Sequence, residues 1–125
     1  MKPRDSALRL KRFEVGEKAR KVASLETMIL DLEHIATDLA RQIAVEEERT
    51  GIKDPAHFAY STFAKAASQR RTNLLTSVAD LKAKLDSARR EHEEIALELS
   101  KLEPPEARDT DRQHGKMSGN GLMLG

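Results

Sequence analysis

The chain lacks cysteine and tryptophan, and only four of its 125 residues are aromatic, three phenylalanines and one tyrosine. Without cysteine it has no disulfide framework and no thiolate chemistry, which fits a reducing compartment such as the cytoplasm. Charged residues make up 34% of the chain, so few large apolar side chains remain to fill the core of a globule. A composition dominated by Ala, Leu, Glu, Lys and Arg is typical of long helices and coiled coils.

Long apolar runs are also missing. No stretch of 18 apolar residues occurs, so we predict no membrane-spanning helix. The N-terminal MKPRDSALRLKRFEV has charges throughout and no apolar core, so we predict no secretory signal. The net charge of +1 indicates no particular class of partner.

A heptad pattern of apolar residues runs through residues 5–50. Position a is mostly β-branched and the middle d positions are leucine, as in a coiled-coil seam. The a positions are Leu8, Val15, Val22, Ile29, Ala36 and Ile43, and the d positions are Lys11, Lys18, Leu25, Leu32 and Leu39. The pattern predicts a helix over 5–50 whose apolar seam is weaker at the N-terminal end.

A second heptad pattern occupies residues 62–103 and stops at Pro104 and Pro105, which cannot continue a helix. Its seam residues are Leu74, Val78, Leu81, Leu85, Ala88, His92, Ile95, Leu99 and Leu102. Residues 104–125 show no period and are rich in glycine and polar residues. The sequence therefore predicts a domain of residues 1–103 followed by a disordered tail over 104–125.

Two helices of similar length joined by a connection at 51–61 predict an all-α fold, a long two-helix antiparallel coiled-coil hairpin. When positions whose numbers sum to 110 are paired, each of five layers along the two helices contains two apolar residues. These layers are Leu8–Leu102, Val15–Ile95, Leu25–Leu85, Ile29–Leu81 and Leu32–Val78. The same register places His92 opposite Lys18, which we interpret as a polar layer that fixes register, with metal binding or pH sensing as the alternative.

The distribution of charge favours the same pairing. Residues 4–21 have a net charge of +4 and face 89–106 with −3, while 26–48 have −6 and face 62–84 with +4. Each exposed ion pair contributes little, but a consistent pattern selects partner and orientation. A parallel self-dimer would instead place like charges side by side.

The connection has helix-ending signals at both ends. Gly51 suits a helix end that requires a positive φ, and Asp54 followed by Pro55 resembles an N-cap with proline at the first helical position. Ser61 or Thr62 is a second candidate cap. The chain is expected either to turn tightly at 51–54 or to pass first through a short helical piece at 55–60.

Three of the four aromatic residues, Phe58, Tyr60 and Phe63, lie in or beside this connection. They serve either as an exposed anchor for a partner or as a plug that folds back onto the coil, where nearby alanines leave room. Because their spacings of two and three keep them off one helical stripe, at least one ring is expected to point away from the coil. We expect Phe63 to be the plug and Phe58 to be the exposed anchor.

Motifs for catalysis and for cofactor or metal binding are not found in the sequence. No histidine lies in a ligand motif such as H-E-x-x-H, and there is no glycine-rich phosphate loop. We interpret Glu46, Glu47 and Glu48 as a solvated helix end rather than a catalytic cluster. A two-helix hairpin has no deep pocket, so we predict no enzyme, no cofactor and no metal. The basic N-terminal segment has an acidic complement within the chain, which argues against a zipper-type nucleic-acid partner.

Two stretches resemble a known family: PRDSALRLKRFEV at 3–15 and EEERTGIKDPAHFAYSTFAKAASQRR at 46–71. They are similar to the flagellar export protein FliJ in its alphaproteobacterial form, over about residues 1–103. The tail at 104–125 departs from the charged, helical C-terminus that is usual in the family.

The resemblance implies a cytoplasmic coiled coil of the flagellar type III secretion apparatus, at the cytoplasmic face of the basal body and without membrane insertion. Such proteins look like the central stalk of rotary ATPases, and they contact the flagellar export ATPase, the export gate protein and empty export chaperones. The implied function is protein transport in flagellar assembly, and thereby motility. As partner-binding residues we predict Arg4, Arg9, Lys11 and Arg12 at the basic end and Phe58 and Tyr60 at the connection.

Two other functions remain open at this stage. One is a general coiled-coil chaperone or adaptor unrelated to flagella. The other is an insertion factor whose acidic tip, with Glu46, Glu47 and Glu48, enters the channel of another machine. Factors of that second kind usually carry an additional globular domain, which the sequence does not predict.

Overall fold

The computed structural model describes residues 3–103, which form two helices, α1 over Pro3–Thr50 and α2 over Thr62–Leu102. No strand occurs among these residues. The predicted all-α hairpin is confirmed, with α1 beginning two residues earlier and α2 ending one residue earlier than the heptads indicated. The tail predicted over 104–125 lies outside the described residues.

The chain divides into two compact units, which we describe separately. The turn unit is Arg20–Ala88 and contains the connection. The terminal unit contains the described residues on either side of it, 3–19 and 89–103.

The turn unit has a continuous apolar seam. Its central cluster is formed by the buried side chains of Leu25, Ile29, Val78, Leu85 and Ala88, with Val22, Leu32 and Leu81 packed against them. All eight are predicted a or d residues, and they contain the layers Leu25–Leu85, Ile29–Leu81 and Leu32–Val78. The helices of this unit therefore pack antiparallel with the predicted seam facing inward.

The terminal unit relies more on ion pairs between its two segments. Lys11 Nζ lies 2.9 Å from Glu98 Oε2, and Lys18 Nζ lies 3.0 Å from Glu91 Oε2. Lys11 and Lys18 occupy the two d positions where leucine is missing, so the ammonium groups extend past the seam to carboxylates of α2. Leu8 is buried, but its predicted partner Leu102 is 41% exposed, so this end layer is only partly closed.

The connection turns without a helical piece of its own. α1 ends at Gly51, whose φ is 73° and whose N–H donates to the carbonyl of Glu47. Two successive turns follow, because the N–H of His57 donates to the carbonyl of Asp54 and the N–H of Tyr60 to that of His57. The short helix considered at 55–60 is thus absent, and the chain reverses through residues 54–60 instead of 51–54.

Candidate protein-docking site

An open apolar groove of about 200 Å³ lies beside the start of α2, within the turn unit. It is lined by Leu39, Gln42, Phe63, Ala66, Ala67 and Arg70, which we call the groove residues. Phe63, Ala66 and Arg70 share one face of α2 because they are three and four residues apart. Leu39 and Ala67 are buried seam residues.

Small side chains account for this groove. The seam of the return helix begins with Ala64 and Ala67, which are both buried, where the middle of the helix uses Val78 and Leu85. An alanine side chain fills little volume, and Ala66, which also lines the groove, contributes only a methyl group. Phe63 borders the space with 55% of its surface exposed, so a large apolar side chain faces solvent next to a shallow apolar depression. A contiguous exposed apolar patch rimmed by polar residues marks an interaction site, and the groove with Phe63 and the polar side chains of Gln42 and Arg70 has this composition.

Phe63 was expected to plug the coil, and that prediction is wrong. Its ring does not enter the seam, because the positions that point inward at the start of α2 are Ala64 and Ala67. Tyr60 is instead the half-buried ring of the three. Replacing Phe63 is therefore expected to affect docking more than stability.

Positive charge beside the groove is not neutralised by α1. Among residues 3–103, neither Lys65 nor Arg70 has a carboxylate within ion-pairing distance. Arg71 occupies a seam position, and its Nε is enclosed without a hydrogen-bond partner. Lys82 does reach Glu33 across the coil, at 3.4 Å. Of the ion pairs predicted between 26–48 and 62–84, the pair between Lys82 and Glu33 is thus formed. The cations over 65–71 form no such pair within residues 3–103.

The connection is ordered by side-chain hydrogen bonds to the end of α1. The Tyr60 hydroxyl donates to Glu47 Oε2 at 2.7 Å, and the Ser61 hydroxyl donates to Glu46 Oε1 at 2.9 Å. Ser61 Oγ also accepts the N–H of Ala64 at 3.1 Å, so Ser61 is the N-cap of α2. Asp54 Oδ1 accepts the N–H of Ala56, which fixes the first turn.

These bonds shift the acid–base properties of two groups. Hydrogen bonds from Arg49 and then Ser61 lower the pKa of the Glu46 carboxyl from its ordinary value. The bond to Glu47, and then burial, raise the pKa of the Tyr60 hydroxyl. Glu46 and Glu47 therefore fasten the connection to α1 and are half-buried, so the predicted solvated helix end is correct for the exposed Glu48 and wrong for Glu46 and Glu47.

Phe58 is presented at the outermost part of the connection, where 97% of its surface is exposed. The imidazole of His57 stacks on the ring with centroids 4.7 Å apart, and His57 Nδ1 accepts the N–H of Ala59. The predicted exposure of Phe58 is confirmed, and its role as an anchor stays a prediction. Tyr60 is also predicted to bind a partner, but its hydroxyl is already used by Glu47.

The four cationic residues predicted to bind a partner lie in the terminal unit, and they differ in their contacts. Lys11 contacts both Glu98 and Glu14, which raise the pKa of its ammonium group, and Arg12 reaches Glu103 at 3.7 Å. Arg4 and Arg9 are exposed and form no ion pair within residues 3–103. Arg9 also lines a small depression together with Asp5, Leu8 and Arg12. Of the four residues, Arg4 and Arg9 keep the most charge available to a partner.

Sequence reasoning missed two exposed apolar residues here. Leu10 and Phe13 are 59% and 61% exposed, and both lie outside the seam. Their spacing of three within a basic segment was visible in the sequence and could have identified them.

The described residues contain neither a metal-binding cluster nor a membrane-spanning helix. No cluster of three or more His, Asp or Glu side chains there could hold a metal ion. Neither α1 nor α2 is long and apolar enough to cross a membrane.

Comparisons with family models, with curated proteins and with solved structures found no match for this chain.

Proposed function

We propose that this chain is a non-enzymatic docking component of the flagellar type III protein export apparatus. In this role it acts as a stalk-like coiled coil at the cytoplasmic face of the basal body, and it couples the export ATPase to the export gate and to chaperones. The observation that carries the proposal is the groove, where Phe63 is exposed and Arg70 forms no ion pair within residues 3–103. The resemblance of residues 3–15 and 46–71 to FliJ is the reason for placing that docking in the flagellar export apparatus.

The groove residues define the chemistry of the segment that docks there. An apolar depression of this volume accepts one or two side chains rather than a whole small molecule. Arg70 at its edge, with Lys65 nearby in sequence, favours carboxylates beside those apolar side chains. We therefore assign the groove to an acidic, apolar helix or strand of the export gate. The basic end, through Arg4 and Arg9, is assigned to the ATPase.

Charge reversal in the groove tests this assignment. Arg70→Glu is expected to weaken binding of the cytoplasmic domain of the gate protein about tenfold or more, since it places a like charge against the partner's carboxylates. Lys84→Glu is the matched control, because it makes the same charge change on an exposed part of α2 away from the groove. Isothermal titration calorimetry with both variants and the wild type measures the difference, and circular dichroism verifies that each remains helical.

Two outcomes would contradict the proposal in different ways. If the wild type binds neither the gate domain nor the export ATPase nor a chaperone, the chain has no place in flagellar export. A general coiled-coil chaperone or adaptor is then the better function. If Arg70→Glu and Lys84→Glu weaken binding equally, the chain binds its partner through overall charge and the groove is not the site.

A further inference from the structure

The longest uncharged stretch of the sequence begins in the connection, at Pro55. Residues 55–64, PAHFAYSTFA, contain no Asp, Glu, Lys or Arg, although 34% of the chain is charged. The first five of these residues, which we call the tip, are all exposed, and Phe58 is the most exposed large apolar residue described. Phe58 is not among the groove residues, so the tip is a separate surface.

Hydrogen bonds order the backbone on both sides of this exposed ring. Asp54 and His57 each accept a backbone N–H from the residue two positions later. The bonds of Tyr60 to Glu47 and of Ser61 to Glu46 fasten the C-terminal side of the connection to α1. A partner that buries a ring carried on an ordered backbone need not order the connection first, so less conformational entropy is lost on binding.

The side chains behind the tip set the charge that a partner must match. Residues 46–61 contain four acidic residues, Glu46, Glu47, Glu48 and Asp54, against two basic ones, Arg49 and Lys53, which gives a net charge of −2. Glu48 is 81% exposed, and its contact with Lys53 is long, at 3.6 Å. A protein surface that surrounds Phe58 therefore meets a negative ring and is favoured if its own rim is positive.

We propose that the tip is a second docking surface, which inserts Phe58 into an apolar pocket with a basic rim on a protein partner. The inference rests on the proposed function only for the choice of partners to test. The aromatic ring supplies the buried area, and His57, stacked beside it, widens the apolar contact. The acidic side chains around the tip orient the approach and lose their influence as salt rises.

A single tryptophan at the tip reports insertion directly, because the chain contains no tryptophan of its own. Phe58→Trp keeps an aromatic side chain at the position and is expected to fluoresce in the free protein like a solvated indole. Titration with the gate cytoplasmic domain, the export ATPase and an empty chaperone is expected to shift the emission to the blue with one of them. The partner that causes the shift is the one whose pocket receives the tip.

Two further variants connect the shift to affinity. Phe58→Ala is expected to weaken binding of that partner about tenfold or more while leaving thermal unfolding unchanged, because the ring contacts little else in the free protein. Glu48→Gln is expected to weaken binding by roughly threefold at low salt and not at high salt. Leu30→Ala, an exposed apolar residue of α1 outside both the groove and the tip, is the control for loss of an exposed apolar side chain.

Each result of these experiments either supports the inference or contradicts it. A blue shift together with weaker binding by Phe58→Ala supports it, and Leu30→Ala then retains the affinity of the wild type for that partner. Binding of a partner without a blue shift, and with Phe58→Ala unaffected, overturns the tip as a docking surface and leaves the groove assignment standing. Absence of a shift with all three partners overturns the inference whether or not they bind.

Discussion

The turn unit and the terminal unit use the same two helices but are stabilised differently. Among residues 3–103, nine of the ten buried apolar residues belong to the turn unit, and Leu8 belongs to the terminal unit. In the terminal unit lysines occupy two d positions, and the ion pairs that link α1 to α2 include Lys11–Glu98, Arg12–Glu103 and Lys18–Glu91. In the turn unit the cations over 65–71 form no ion pair with any of the described residues. The turn unit is thus stabilised mainly by apolar burial, and the terminal unit adds ion pairs where fewer apolar side chains are buried.

Because of this difference, the residues that stabilise the fold and the residues proposed to bind partners are largely different ones. Ion pairs at an exposed surface contribute little free energy, so those of the terminal unit act mainly to select orientation and register. The turn unit is stabilised by its buried apolar seam, so side chains on its outer surface are available for docking. The groove and the tip both lie in the turn unit, whereas the basic end assigned to the ATPase lies in the terminal unit.

The largest expected effect comes from comparing one leucine of each seam. Leu85→Ala removes a side chain that is 7% exposed within the central cluster, and we expect the free energy of unfolding to fall by about 2–5 kcal/mol. Leu102→Ala removes a side chain that is 41% exposed, and its cost is expected to stay below about 1 kcal/mol. Urea unfolding followed by circular dichroism measures both. Equal losses would mean that the terminal seam is packed as tightly as that of the turn unit.

A smaller effect is expected at the cap of α2. Ser61→Ala removes the acceptor for the N–H of Ala64 and the hydroxyl donor to Glu46, and should lower the free energy of unfolding by about 1 kcal/mol. Thr62→Ala, one residue later, is the control, because Thr62 is exposed and lies inside the helix. If the two variants unfold at the same urea concentration, the Ser61 cap contributes nothing to stability.

The heptads predicted the fold well because the period of a coiled coil is a property of the sequence itself. Each layer of the central cluster was identifiable from residue numbers, as was the Gly51 helix end, while the cap of α2 was narrowed to Ser61 or Thr62. The path of the connection was not predictable. It depends on contacts between Tyr60 and Glu47 and between Ser61 and Glu46, which are 13 and 15 residues apart and follow no period.

The candidate site was predicted less well than the fold. Exposure of Phe58 followed from its place inside the connection, but Phe63 was assigned inward because it precedes the alanines. The seam continues from Val78 back to Ala64 in steps of seven, and this period places Phe63 outside the seam. Applying the heptad rule to the first turn of α2 would have corrected the error. The unpaired state of Arg70 could not have been found in this way, because net charge over a segment does not show which side chains meet.

The smallest expected effect concerns the contact of Tyr60 with Glu47, and it can be measured without interference because Tyr60 is the only tyrosine. The hydrogen bond to Glu47 raises the pKa of the hydroxyl above its ordinary value of 10.0 in the folded state. A raised folded pKa means that the stabilisation is fully present below the unfolded pKa and is lost as pH rises through the folded pKa. The hairpin is therefore expected to lose a small part of its stability above about pH 10 and none from this group at neutral pH.

Spectrophotometric titration of the phenolate tests this expectation. In the wild type the midpoint should lie above that of free tyrosine, and Glu47→Ala should return it to about 10 because both the hydrogen bond and the negative charge are removed. Glu48→Ala is the control, since it removes a neighbouring carboxylate that does not contact the hydroxyl. A wild-type midpoint equal to that of Glu47→Ala would show that the connection is not fastened to α1 through Tyr60 in solution. The rigidity on which the tip depends would then have to come from Ser61 and the turns at 54–60 alone.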